Sequence, residues 1–229
     1  MRLTGKRLKN GTKLERVTLY HFEKSAEFEV CENDASTGIV DHVNCCICMD
    51  EYEEAVFGNE YRSQYLEKRG QQRADLMCFL LSEMNRRLAS YVYEIKHSVS
   101  GPDRVYDICG QLTGSFREIK GMIAGLGCEG YQKDSHLGVI MTGMDIESIE
   151  TVIRRNEKEI SDLNSVKGRI NPIVWKKREH ELLPVIEKTD ILKLFIDHKI
   201  NIDDKEYVLE FIDLLQRPDG RYECSVDFG

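Results

Sequence analysis

Between residues 74 and 96 the chain carries two apolar segments, ADLMCFLL and LASYVYEIK, separated by a short polar stretch containing EMNRR. Both are rich in residues that suit a pleated surface, and a connection this short joins them most simply as a hairpin. The pair constrains the fold strongly, because strands this apolar are poorly suited to an edge hairpin lying wholly in water. Three ionisable residues are nevertheless set into it: Asp75 at the start of the first segment, and Glu94 and Lys96 at the end of the second. Side chains alternate along a strand, so Glu94 and Lys96 share one face. Packing alone would not place polar groups beside two such strands.

These residue types have a chemistry in common. Phosphodiester hydrolysis needs a divalent cation to neutralise charge on the phosphate oxygens and to make a bound water more nucleophilic. Mg²⁺ takes oxygen ligands and keeps several waters, so two carboxylates and a carbonyl suffice to hold it, and Mn²⁺ is expected to substitute. Asp75 and Glu94 lie on neighbouring strands of one hairpin and can converge on a single ion, with the backbone carbonyl of Ile95 as a third ligand. Lys96, on the same face, can orient the attacking water or stabilise developing negative charge. The structural alternative makes Asp75 a cap and the Glu94 and Lys96 pair an ordinary salt bridge on a solvated face.

Around this hairpin the pattern alternates between strand and helix. VTLYHF and AEFEV predict one or two edge strands, which the turn formers of CENDASTG, residues 31–38, would end. IVDHVNCCICM is apolar and sulfur-rich. EYEEAVFGNEYRSQYLEKRG is read as helical in its second half, with Tyr61, Tyr65 and Leu66 as an apolar stripe and Gly70 as its stop. After the break at HSVSGPD, Arg104 to Ala124 has a helical pattern, although Gly110 and Gly114 each cost about 1 kcal/mol in a helix interior. HLGVIMT, residues 136–142, predicts a buried strand, and the segment after it an amphipathic helix with Ile146, Ile149, Val152, Ile153 and Ile160 on one side. Two further helices are expected at Glu181 to His198 and Asp204 to Leu215, the second capped by an Asp of INIDD. The expected fold is α/β (α+β), a mixed sheet flanked by helices, with residues 1–170 as the main domain and 171–229 as an accessory helical segment.

At Asp75, in RAD, and at Glu94 and Lys96, in YVYEIK, the chain resembles the restriction-endonuclease-like superfamily, known by its D…(D/E)xK signature. The resemblance covers roughly residues 50–160 and implies a mixed-sheet nuclease core in which Asp75, Glu94 and Lys96 are catalytic. It also implies a helical glutamine, for which Gln111 stands in CGQLTGSF, with Phe116 near the place of an aromatic residue found in the end-processing branch. A glutamate from the helix before the hairpin would be a further metal ligand, and Glu60 matches it better than Glu54 or Glu67. The family's usual Pro-Asp dipeptide is Ala74-Asp75 here. The implied activity is cleavage of DNA, in the manner of an effector in prokaryotic antiviral defence.

Arg73, His97, Arg104 and Arg117, with Arg86 and Arg87, are candidate contacts to nucleic acid. The first 24 residues add a basic excess, but the formal net charge of -8 is awkward for a chain that grips phosphate alone. A partner subunit or a homo-oligomer supplying a basic track is therefore expected. The alternative is a non-catalytic structural or nucleic-acid-sensing subunit that keeps the fold. MRLTGKRLKNG is followed by no signal-type apolar core, and no run is long enough to span a membrane, so a cytoplasmic location is expected. The eight cysteines then read mostly as reduced, buried thiols. His42, Cys45 and Cys48 are spaced as H-x₂-C-x₂-C, and Cys31 or Cys46 would complete a zinc site if those three were ligands.

Overall fold

Strand pairing dominates the computed structural model, which describes residues 6–9, 18–21, 25–34, 38–48, 52–58, 73–125, 128 and 130–228. Contacts divide the chain into two compact units. The first comprises residues 1–98, 110–143 and 210–229, and the second 99–109 and 144–209.

The first unit is built on the expected hairpin. Strands β6 (Leu76–Ser82) and β7 (Arg87–Lys96) pair antiparallel, with Leu76 opposite Tyr93 and Ser82 opposite Arg87. The turn between them has Arg86 at φ 50°. Strand β5 (Glu54–Phe57) pairs antiparallel with β6, and β8 (Gln132–Met141) runs parallel to β7. Beyond β5 lie β2 (Thr18–His21) and then β1 (Lys6–Lys9). Strand β7 is thus paired along both edges and buried on both faces, as a strand reading as a near-continuous apolar run must be.

A smaller sheet contains β3 (Ser25–Asp34), β4 (Ile39–Cys48), β11 (Leu215–Gln216) and β12 (Tyr222–Phe228) in the order β11-β12-β4-β3. Its inward side chains Phe28, Val43, Cys45, Ile47, Val226 and Phe228 form one apolar core with Tyr91, Tyr93 and Ile95 of β7 and with Leu76, Cys78 and Leu80 of β6. The other face of the large sheet buries Met77, Phe79, Leu88 and Val92. Helix α1 (Pro102–Gly125) has a matching buried stripe of Leu112, Phe116, Ile119 and Met122.

In the second unit, helices α2 (Ile146–Ser165) and α3 (Pro172–Ile196) pack together. Both start as capping chemistry dictates: Asp145 accepts from the Ser148 amide at 3.0 Å, and Asn171 accepts from the Ile173 amide at 2.9 Å with Pro172 next to it. Inside, Asn156 donates to the Thr189 hydroxyl at 3.1 Å, and Thr189 donates to the Val185 carbonyl at 2.6 Å.

The mixed sheet with flanking helices is as expected, as are the β6–β7 hairpin, α1 and the apolar end of β8. Four local expectations are overturned. Glu54, weighed as a helix glutamate, lies in a strand, because Ala55, Val56 and Phe57 are all buried against β6 and its neighbours; the helix read in the second half of that segment, with Glu60 and Glu67, lies outside the described residues. Strand β3 runs on to Asp34, through the stretch read as its end, because β4 pairs with it throughout. Ile146 is exposed at the first turn of α2, and Ile149 and Ile153 carry its buried face. The helix expected at Asp204 to Leu215 is strand β10 (Lys205–Asp213), which forms a hairpin with β9 (Lys199–Ile202). Asp203 and Asp204 are the turn of that hairpin rather than a helix cap, both with positive φ (54° and 60°), as a two-residue turn of this kind requires.

Gly138 in β8 shows how tightly the first unit is packed. A Cβ there would meet the Tyr93 ring and come within 2.8 Å of the Glu210 carbonyl oxygen. Gly110 in α1 is its opposite: exposed, with open space where a Cβ would go. Gly138→Ala is expected to destabilise the chain by about 1–3 kcal/mol through overpacking, and Gly110→Ala to stabilise it by up to about 1 kcal/mol. Urea unfolding of the two variants measures both signs.

Candidate metal centre

The register of the hairpin brings Asp75 to Glu94. Leu76 is opposite Tyr93, so the preceding residue, Asp75, falls opposite Glu94 and on the same face. The β6–β7 ladder stops at this point. The amide of Ile95, which a longer β6 would have engaged, donates instead to Asp75 Oδ2 at 2.8 Å. The carbonyl of a strand residue points to the same edge as its amide, so the Ile95 carbonyl also faces the Asp75 side.

Lys96 closes the group. Its Nζ contacts Glu94 Oε1 directly and lies 3.9 Å from Asp75 Oδ2. Glu94 has no solvent exposure, and among the described residues neither of its carboxylate oxygens has a hydrogen-bond donor of good geometry. Burial pushes its pKa up, and the Lys96 charge opposes that. Asp75 is raised to about 8, first by burial and next by the Glu94 charge, while Lys96 and the Ile95 amide pull it down. Glu32 of β3 raises both, and nothing in the sequence marked it as a neighbour.

Helix α1 holds the backbone that leads into Asp75. The Gln111 side-chain amide donates to the Arg73 carbonyl at 3.4 Å, a long bond. The fully buried Ser115 hydroxyl accepts from the Ala74 amide at 2.8 Å. A proline at position 74 would have no N–H to give, whereas alanine keeps this contact. Gln111 therefore touches the approach to the carboxylates and not the carboxylates themselves.

The candidate phosphate contacts are spread out. Arg73 is bonded to Glu118 at 2.6 Å, and Arg117 is exposed on α1. Arg87 lies 3.5 Å from Asp134. His97 Nδ1 lies 3.6 Å from Asp41 Oδ1, with the ring edge-on to Tyr222 at 4.3 Å. Arg104 belongs to the second unit.

A different set of residues forms a cluster able to hold a metal ion. One ligand atom each from Glu29, Cys31 and His42 lies within 4.8 Å of the other two. The zinc spacing His42, Cys45, Cys48 fails for a simple reason. In strand β4 the side chains alternate, so His42 points outward while Cys45 is buried in the core, its pKa pushed by burial up to about 12. The Cys48 side chain lies outside the described residues. The partner of His42 is Cys31, directly opposite on β3, a pairing set by register between strands and invisible in residue spacing. None of the described cysteines with an assigned state is oxidised: Cys31, Cys45, Cys46, Cys78, Cys109, Cys128 and Cys224 are free.

Comparison with protein-family models, with curated proteins and with solved structures returned no match. Among the described residues, no helix is long and apolar enough to cross a membrane.

The raised pKa of Asp75 gives a pH dependence with a definite sign. The folded chain holds this proton more tightly than the unfolded chain, whose carboxyl titrates near 3.8, so the contribution is fully present below that pH and is lost as pH rises to about 8. In the presence of chelator, the stability of Asp75→Asn is expected to fall less than that of the wild type across this window. Urea midpoints at stepped pH measure the difference, and parallel curves would contradict the shift.

Proposed function

We propose that the chain is a metal-dependent phosphodiesterase acting on DNA, with Asp75 and Glu94 as the carboxylates that hold Mg²⁺ or Mn²⁺ and Lys96 as the assisting base or charge stabiliser. The observation that carries the reading is the Glu94 carboxylate. It is fully buried opposite a second carboxylate, with Lys96 as its ion-pair partner and the Asp75 backbone amide beside it. Burying two acids against one lysine is costly, and a divalent cation would offset that cost. The donor set fits such an ion: two carboxylates and a carbonyl, all oxygen, at the end of the β6–β7 ladder.

Bound there, the cation would supply Lewis acidity and a more nucleophilic water. The residues of the chain do the rest. Asp75 is held by the Ile95 amide, which fixes its Oδ2. Glu94 is fixed by the packing of a strand paired on both sides. Lys96, 14% exposed, reaches the group from its more open end, where it can meet the phosphate or the attacking water. Ser115 and Gln111 position the backbone before Asp75. DNA as the substrate and service in antiviral defence rest on the resemblance of residues 50–160 to restriction-endonuclease-like nucleases. The net charge of -8 argues that a partner subunit or a second copy provides the electropositive track.

A panel of linear, circular, single-stranded and duplex DNA and RNA, incubated with Mg²⁺, Mn²⁺ or EDTA, tests the reading. Cleavage is expected with either metal and not with EDTA. Glu94→Gln and Lys96→Ala, both folded, are expected to lose about 10²–10³-fold in rate. Cutting that survives in Glu94→Gln would remove the centre from the chemistry; a wild type inert on every substrate would favour a non-catalytic subunit.

A further inference from the structure

The outer face of the small sheet carries chemistry that the hydrolytic centre does not use. Glu29 and Cys31 stand two residues apart on β3, and His42 stands opposite Cys31 on β4. His42 Nδ1 lies 2.9 Å from Glu29 Oε1 and 3.3 Å from Cys31 Sγ. One ring nitrogen thus faces both a carboxylate and a thiol. The thiol also hydrogen-bonds the Glu29 carboxylate, so the three donor groups converge on one another closely enough to share a single ion.

We propose that Glu29, Cys31 and His42 form a zinc-class metal site that clamps β3 to β4 across their hairpin. Zinc bonds sulfur at about 2.3 Å and nitrogen or oxygen at about 2.0–2.2 Å, which makes the edges of a tetrahedral site roughly 3.3–3.6 Å. The contacts at 2.9 and 3.3 Å need to open by only a few tenths of an ångström to match. The donors choose the metal: thiolate and imidazole select zinc over magnesium, which prefers an all-oxygen shell. This separates the site in kind from the all-oxygen set at Asp75 and Glu94. Three protein ligands leave one position on a tetrahedral ion. Water fills it; the Glu223 carboxylate, which the parallel register of β12 sets beside His42 on the same face, is ion-paired with Arg217. The side chains involved are exposed or half-buried, so a metal reaches them without unfolding the sheet.

The site stands independently of the hydrolase reading, and its test is chosen accordingly. The full chain, stripped with EDTA, is titrated with Co²⁺ and followed by absorption, then competed with Zn²⁺. The expected result is the intense charge-transfer band of a cobalt thiolate, saturating at one equivalent of Co²⁺ per chain and displaced by Zn²⁺. Cys31→Ser is expected to abolish the band, and His42→Ala to weaken binding about tenfold or more. Cys46→Ser is expected to leave the band unchanged. Far-ultraviolet circular dichroism checks that each variant is folded. As a second readout, Zn²⁺ is expected to raise the melting temperature of the wild type and not of Cys31→Ser. No thiolate band in the wild type, a band that survives in Cys31→Ser, or one lost in Cys46→Ser would overturn the proposal.

Discussion

The structure of the first unit turns on a carboxylate with nowhere to go. Glu94 sits in β7, a strand with a neighbour along each edge and apolar packing on each face. Placing an ionised acid there is among the more expensive things a fold can do, since burial favours the neutral form and an unpaired charge would be shed. The surroundings answer in part. Lys96 lies one step along the same face, and β6 stops where Asp75 stands opposite. That early stop frees the Ile95 amide to bond Asp75. A local cost in β7 therefore accounts for the end of the ladder, the position of the lysine and the raised pKa of both acids.

Helix α1 contributes by holding backbone. Ser115 takes the Ala74 amide and Gln111 the Arg73 carbonyl, so the two residues ahead of Asp75 are fixed by side chains of a helix whose apolar stripe is itself buried. Positioning through the backbone tolerates variation in the residues being held, provided their N–H and C=O remain. Ala74 meets that condition.

How much of this could be read from residues alone depended on whether the informative pattern was local. The β6–β7 hairpin was legible because each strand carries its own β signal and the turn between them is polar and short. The sharing of a face by Glu94 and Lys96 followed from period-two alternation alone. The segment Lys205–Asp213 was misread because KEYVLEFID also supports a helical pattern; the deciding signal was the adjacent Asp-Asp pair at the hairpin turn. The strand at AEFEV was legible, but how the smaller sheet pairs was not. Its β4 pairs antiparallel with β3 and parallel with β12, so the meeting of His42 with Cys31 and Glu29, and the approach of Glu32 to the buried acids, depend on registers between strands. Cysteine spacing along β4 pointed to the wrong residues because neighbours three apart in a strand face opposite ways.

Strand β12 enters the smaller sheet between β11 and β4, aligning Tyr222 with Asp41 and Phe228 with Ile47. During synthesis, β3 and β4 leave the ribosome long before their third neighbour exists. Until residues 222–228 emerge, one edge of β4 has no strand beside it, and Phe28, Val43 and Cys45 lack the ring of Phe228 that completes their core. Contacts this distant in sequence form slowly, and an open edge beside an apolar face invites pairing with other chains. Topology therefore orders the assembly: the β6–β7 hairpin can form as soon as it is made, whereas the smaller sheet cannot be completed until residues 222–228 have been added.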